Sequence, residues 1–570
     1  MPRIYLAITV SILISTTSAI AKPQKIKVFF DRQNIQSSTD KLCGLKSSED
    51  ILLVDDLFSL PLLKRLQYLH NYHDCIPSWY GADQKKMAKT PTFEGWKRDI
   101  NPIKRTVTYT KDTDTKTVVE VWKNLSSQLS DRSEVLFTYL YEDYNYPENH
   151  TTSCELTTNQ LNFHTTILPN DLAKLYDFPE NLGRGNVIGI LTDGSEGDAA
   201  AYNQDILSSY VQSQHNSPIP PIKISEVNQE PYANSEADLD LSVIASVVPE
   251  AEIIMISNDP QYGYFLYDMF EEAIHYGRNQ NSEEHPINII SSSYGDPDFF
   301  GDYNPQKAKI FALLMEDAAL RNITIIAASG DRGSAGYNEN GLFGHYIDAS
   351  APYQLSVGGT SFSNALQNAI SRDDDLESLM SLLKKGNNEV WNENSCPYIH
   401  GSRDGDKDFN DNRSSSGGVA LSFSKPFYQS NVVDGPYRNY PDVSFLGGGS
   451  VYYQTFDNSG AAGTSASGPL MASLVARINT ALFSDEISQH KSLGFINKII
   501  YDAYQNNKGI FIDTQRGHNC QLWNDHSNHS QCFNWPDPPY HARKGYDLAT
   551  GLGEVLGKPL LNFIQQHISN

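Results

Sequence analysis

The sequence predicts an α/β protein in which a parallel sheet carries helices on both faces, preceded by a smaller α+β domain. Three observations predict it. Four near-continuous apolar runs are spaced along residues 186–328, helix-like segments separate them, and the pattern starts only after Leu168-Pro169, behind a stretch of different character. Strands buried on both faces lose the in–out alternation of a half-exposed sheet, and a parallel connection must be long enough to hold a helix.

In chain order, Arg3 precedes the apolar run Ile4–Ile14, which gives way to small and polar residues ending in Ala19-Ile20-Ala21. This reads as a signal peptide over residues 1–21, and the run is too short to cross a bilayer, which needs about 20 apolar residues. No second run of that length follows, so the mature chain is expected to be soluble, with no membrane association. An exported destination permits disulfides. The cysteines, Cys43, Cys75, Cys154, Cys396, Cys520 and Cys532, are too sparse for a disulfide scaffold and lack CxxC spacing; Cys520 with Cys532 is the expected bridge. Sequons stand at Asn124, Asn149, Asn322, Asn412 and Asn528.

Residues 22–165 form the expected α+β domain. Val107–Thr110 and Lys116–Val119 alternate as strands, while Pro61–Leu69, with its proline at the helix start, and Val121–Leu129 read as helices. Beyond it, Asn186–Leu191, Ala251–Ile256, Ile287–Ser291 and Ile323–Ala328 read as the buried strands, with helices at 235–248, 263–277 and 305–320 between them. Sites in such folds gather beyond the carboxyl ends of the strands, so chemistry is to be sought just after each run.

Composition narrows the function. Lys and Arg total 44 against 68 Asp and Glu, a formal net charge of −24. That charge repels a phosphate backbone, which argues against a nucleic-acid partner, and it suits work in acid, where part of it is neutralised.

Three short segments carry candidate chemistry. Gly463-Thr464-Ser465-Ala466-Ser467-Gly468-Pro469 opens an apolar helix, and a serine at a glycine-preceded helix start is exposed beside unpaired N–H donors, as an acyl-transfer nucleophile requires. Alone, the segment serves equally as a helix cap. Ser467 lies two residues deeper and is the poorer nucleophile. In Ser235–Leu241, Glu236 and Asp240 are four apart and share a helix face, whereas Asp238 points away. Two carboxyls that close share a proton and can accept another from a serine in acid, where histidine is already charged. A solvated acidic first turn has the same pattern. Ser329-Gly330-Asp331-Arg332-Gly333 ends the fourth strand, where a protonated Asp331 could donate to an oxyanion or merely shape a turn.

Taken jointly and in this order, Glu236–Asp240, Ser329–Gly333 and Gly463–Ser467 resemble the sedolisin family, the serine-carboxyl peptidases. Tyr353–Thr360, Gly417-Gly418, Pro426–Gln429 and Tyr440–Ser444 are similar to that family too, and the resemblance covers roughly residues 168–560. It implies a subtilisin-like fold over 166–570, with Ser465 as nucleophile, Glu236 as general base, Asp240 orienting it and Asp331 as oxyanion donor, Glu236 having a low and Asp331 a high pKa. It implies that 22–165 is an inhibitory propeptide removed in acid, leaving a chain that begins near Thr165 to Leu168. It also implies Ca2+ in a region spanning 510–556, held by the carboxylates of Asp513 and Asp547 and the carbonyls of Thr514, Arg543 and Gly545; oxygen-only ligation suits a hard cation. Peptides or proteins are the expected substrates, cut internally or as N-terminal tripeptides, by a monomer in the extracellular space or a lysosome-like compartment. The segment Ser361–Asn388, with Asp373-Asp374-Asp375, reads as an inserted helical hairpin on the surface near the substrate cleft. Two other readings compete: a histidine-dependent subtilisin using Asp193 and His400, and a secreted binding protein on an inactive peptidase fold.

Overall fold

The structure is a computed structural model that describes residues 24–32, 45, 51–111, 115–129, 135–140, 165–193, 203–227, 235–258, 265–278, 284–295, 305–335, 346–393, 413–483, 492–506, 508–519 and 540–568. The expected signal peptide, the Cys520–Cys532 bridge and His400 lie outside these residues. Cys75 is disulfide-bonded.

Four antiparallel strands come first: β1 (Gln24–Phe30), β2 (Lys97–Asn101), β3 (Thr106–Lys111) and β4 (Val135–Leu140), in the order β2-β3-β1-β4. Counting helices longer than one turn, α1 (Val54–Ser59), α2 (Leu62–Asn71) and α3 (Thr115–Leu129) accompany them. Ile26, Val28 and Phe30 on one face of β1 meet Val107, Tyr109 and, from α3, Leu125 and Leu129. One expectation is corrected. Lys116–Val119 is the first turn of α3 and not a strand, because Val118, Val121, Leu125 and Leu129 recur at three- and four-residue steps and continue the helix backwards.

The main body is a ten-stranded sheet. Its strands are β6 (Val187–Asp193), β7 (Lys223–Val227), β8 (Glu252–Asn258), β9 (Ile289–Ser292), β10 (Thr324–Ala328), β11 (Leu355–Phe362), β12 (Asn388–Val390), β15 (Val443–Gly448), β18 (Phe511–Ile512) and β19 (Glu554–Val555). The order is β18-β19-β15-β11-β10-β9-β6-β8-β7, with β12 paired to β11. Every pair from β7 to β19 is parallel, and β12 and β18 join antiparallel. Its helices are α4 (Pro169–Leu175), α5 (Gln204–Ser213), α6 (Ser235–Val247), α7 (Phe265–His275), α8 (Pro305–Leu320), α9 (Asn364–Ser371), α10 (Leu376–Lys384), α11 (Thr464–Phe483), α12 (Asn497–Asn506) and α13 (Gly557–Ile568).

Alternate residues of the central strands enter two separate cores, which is the reason these strands read as unbroken apolar runs. Ile188, Ile190, Ile253, Met255, Ile289 and Ile326 pack with α6 and α11 on one face. Val187, Leu191, Ile254, Ile256, Ile290 and Ile325 pack with α7 and α8 on the other. A parallel sheet with helices on both faces is thus as expected. The four predicted strands and three predicted helices of residues 186–328 are all present. Among the described residues no helix is long and apolar enough to cross a membrane.

The N-terminal sheet lies against α7 and α8 through the other face of β1. Phe29 joins the core of that face and stands 6.3 Å from the Tyr267 ring. Lys27 Nζ reaches Asp268 at 2.7 Å and Glu271 at 2.6 Å. Arg32 pairs with Glu316. Arg105 donates to the Leu313 carbonyl at 2.9 Å, and Arg65 to that of Leu493 at 3.0 Å.

The expected hairpin at 361–388 is α9 and α10, between β11 and β12. It packs against α4 and β5 (Thr165–Ile167), with Ser371 Oγ 2.8 Å from Thr165 Oγ1. β5 in turn pairs parallel with β16 (Val451–Gln454).

Candidate active site

Helix α6 places its two carboxyls by simple periodicity. Ala237, Leu239 and Leu241 are buried in the core, and α6 packs along α11. Glu236 and Asp240, one turn apart, then look toward the start of α11, while Asp238 is set aside, half-buried beside Asp457. Asp240 is fully buried. Its Oδ1 accepts from Ser293 Oγ at 2.8 Å. Glu236 Oε1 and Asp240 Oδ2 are shut off from solvent without a hydrogen-bond partner among the described residues.

The start of α11 is built by Gly463, at φ 144, where a Cβ would stand 2.9 Å from Asp331 Oδ2. Any side chain there strains the backbone and crowds the carboxyl. Thr464 N–H and hydroxyl both donate to Asp331 Oδ1, at 2.9 and 2.8 Å, and Gly330 N–H donates to the Thr464 hydroxyl at 3.0 Å. The turn after β10 is thereby locked to the helix start, with Asp331 Oδ2 left on the side of Gly463. Ser465 is the second residue of α11 and is 8% exposed. Ser467 is fully buried and spends its hydroxyl on the Leu446 carbonyl at 3.0 Å, so it ties helix to sheet.

The electrostatics follow from burying carboxyls together. Glu236 is pushed up to about 7, first by burial; the Ser465 hydroxyl pulls it down, and the Asp331 charge pushes it further up. Asp240 is driven well above the carboxylate range by burial and then by Glu236. The sequence-based expectation of a low Glu236 is reversed, because desolvation outweighs its hydrogen bonds. Within the pair Glu236 is the one that ionises first, and Asp240 keeps the shared proton.

The four expected residues thus stand on α6, the β10 turn and the start of α11, beyond the strand ends, as the sequence implied. Ser293, just after β9, was missed. Its position behind a predicted strand was the available signal, but it sits in the tract Ser291-Ser292-Ser293 with nothing to single it out. Asp193 ends β6. Tyr440–Ser444 is structural: Asp442 is buried in a 2.6 Å pair with Arg438 and accepts from Tyr501 at 2.8 Å.

A second candidate is the cation site. Gly545 N–H donates to Asp513 at 3.1 Å and Arg543 N–H to Asp547 Oδ2 at 3.3 Å, which brings both carboxylates to one turn. Asp547 is 1% exposed, and burial lifts it to about 6 despite bonds from Ala549, Thr550 and Arg543. The Arg543 side chain donates to the Tyr546 carbonyl at 3.2 Å. No group of three His, Cys, Asp or Glu gathers for a metal among the described residues, and the expected set is two carboxylates and carbonyls. A buried carboxylate in an oxygen-only set fits a hard cation.

Comparison with known proteins agrees with this geometry. Residues 227–512, just over half of the chain, match the subtilase family. Kumamolisin of Bacillus sp. strain MN-32 is 27% identical over 414 residues, covering 70% of this chain and 63% of its own. Tripeptidyl-peptidase SED4 of Arthroderma otae is 27% identical over 350 residues, covering 56% and 48%. The chain thus spans about half to three fifths of the length of these curated relatives. Among solved structures, a Pseudomonas sedolisin, described as a serine-carboxyl proteinase, aligns with a TM-score of 0.52 at 20% identity, over 71% of this chain and 99% of that one.

Proposed function

The chain belongs to the subtilase family, on its sedolisin side, and from that premise we propose that it is an acid-active serine-carboxyl peptidase made as a zymogen. The observation that carries this reading is the gathering of three carboxyls, Glu236, Asp240 and Asp331, around the helix start that bears Ser465.

Glu236 and Asp240, buried one turn apart, share a proton, so the working state holds Glu236 as base and Asp240 as acid, with the Asp331 carboxyl at the helix start as the oxyanion donor. The Ser465 hydroxyl attacks the scissile carbonyl carbon as Glu236 takes its proton. The carbonyl oxygen becomes an oxyanion that receives hydrogen bonds from the Asp331 acid and the first-turn N–H of α11. Collapse of the intermediate expels the amine, which takes the proton back from Glu236. Water then attacks the acyl-enzyme by the same route and frees Ser465. Glu236, at about 7 in the substrate-free chain, is largely protonated in acid, so the acid-active reading requires that bound substrate lower it.

Residues 22–165 act as the propeptide. Supporting this, its basic side chains grip carboxylates on α7 and α8. Glu316 is pushed up to about 7, mainly by burial and against the pull of Arg32, so acid discharges it and leaves Arg32 unpaired. Since Thr165–Ile167 is a strand paired to β16, the cut is expected ahead of Thr165 rather than within 165–168. Calcium, held by Asp513, Asp547 and the carbonyls of Thr514, Arg543 and Gly545, would neutralise the buried carboxylates and brace the C-terminal turn without entering the chemistry. The protein acts on peptides or proteins, outside the cell or in an acidic compartment, as a monomer.

The test is to follow purified precursor and its Ser465→Ala variant in mildly acid and neutral buffer, with a mixed peptide library present. Acid-dependent fragment release and peptide cleavage that the variant lacks support the reading. A precursor that stays whole yet cleaves peptides equally at neutral pH defeats it.

A further inference from the structure

Helix α11 contains Pro469. In a regular helix the N–H of residue 469 would serve the carbonyl of residue 465, but proline has no N–H, so the nucleophile's own carbonyl loses its helical partner. Ser293 Oγ lies 3.3 Å from that carbonyl oxygen. The same hydroxyl stands 2.8 Å from Asp240 Oδ1. One serine hydroxyl, carried on the loop after β9, therefore bridges the backbone of the nucleophile and the acid that orients the base.

We propose that Ser293 is a positioning residue for the peptidase reaction, coupling Asp240 to the Ser465 carbonyl that Pro469 leaves unserved. This rests on the serine-carboxyl reading above. A hydroxyl has one hydrogen and two lone pairs. When Asp240 is ionised, Ser293 donates to its Oδ1. When Asp240 carries the shared proton, it can donate to Ser293 Oγ, which is then free to donate onward to the Ser465 carbonyl. The nucleophile's backbone is thus held most firmly in the protonation state the reaction needs. The other charged groups near the pair are Glu236 on α6, Asp331 after β10 and Arg413 ahead of β13 (Gly418–Ser424). Ser293 pulls Asp240 and, more weakly, Glu236 toward the ionised form.

The experiment is Ser293→Ala and Ser293→Thr in the full chain, matured in acid, with melting curves recorded to exclude misfolding. Ser293→Ala should lower kcat by about 10-fold with KM nearly unchanged. It should also move the acid limb of the rate profile upward by about half to one pH unit, because the ionised pair loses a donor. Ser293→Thr, which keeps the hydroxyl, should restore both. In a Pro469→Ala background, where an amide N–H can again serve the Ser465 carbonyl, the Ser293→Ala loss should shrink. An unmoved acid limb, a loss that threonine leaves unrepaired, or equal losses in both backgrounds would overturn the role. Infrared titration of the buried carboxyls reads the same shift without turnover. A shift seen in a chain with no peptidase activity would therefore fault the peptidase reading and leave the hydrogen bond standing.

Discussion

Two sets of buried carboxyls sit on opposite faces of one sheet and meet opposite fates. On α7 and α8, Asp268, Glu271 and Glu316 are each met by a lysine or arginine from the N-terminal sheet. On α6, Glu236 and Asp240 are met by serine hydroxyls and by each other, and their acidity is weakened by burial. A carboxylate paired with a cation holds two parts of a protein together until acid discharges it. A carboxyl without one retains a proton at unusual pH and can trade it with a substrate. The same drop in pH therefore discharges the first set and adds protons to the second.

The sharpest way to break this contrast is to remove the proton-trading group. Glu236→Gln or Ser465→Ala should lower kcat by roughly 10⁴-fold or more, measured on a peptide substrate in acid. If Glu236→Gln is nearly silent while His400→Ala abolishes turnover, the α6 carboxyls are ordinary buried acids. Next in size, Asp331→Ala should cost about 10²–10³-fold, and Asp331→Asn should retain some activity, since an amide still donates to the oxyanion.

Glu554 tests whether an uncharged neighbourhood suffices for acid preference. It accepts from Tyr176 at 2.8 Å and Asn388 at 2.8 Å, and burial lifts it from 4.5 to about 7. A raised carboxyl pKa gives stability that is full below about 4.5 and is lost as pH rises through about 7, worth about 3 kcal/mol at 1.36 kcal/mol per unit. Melting should therefore fall from mild acid to neutrality, and less steeply in Glu554→Gln. Asp547 tests a third arrangement, a buried carboxylate at the proposed cation site. Calcium at a hundredfold excess over its dissociation constant should stabilise by about 2.7 kcal/mol, and Asp513→Ala or Asp547→Ala should abolish the calcium-dependent shift in Tm. The smallest effect belongs to the paired set: Glu316→Gln should move the midpoint pH of propeptide release upward by about one unit, read as fragment appearance in a pH series. An unchanged midpoint assigns the acid trigger elsewhere.

How much of this the sequence carried depended on how local each feature is. The central strands were legible because both faces are buried, and Glu236 and Asp240 because one helical turn separates them. Val118-Val119 misled, since two valines after a lysine and a threonine suit a strand until the pattern through Leu129 is taken in. The direction of the Glu236 shift depends on desolvation by groups far away in sequence. Ser293 and Pro469 are joined only by folding, as are Lys27 and Glu271. Asn322 shows the same limit: its sequon is intact, but the side chain is buried and donates to the Ser492 carbonyl at 2.8 Å, which closes it to a glycan in the folded chain.

The strand Thr165–Ile167 has a consequence for anyone who would shorten this protein. It flanks β16, whose other neighbour is β17 (Gly460–Ala461), two residues ahead of Gly463. A chain begun at Pro169 would leave the Val451–Tyr453 side of β16 as a bare sheet edge, a template for pairing with other molecules. That edge sits in the segment leading into α11, the helix that bears the proposed nucleophile Ser465, so self-association and lost activity would arrive together.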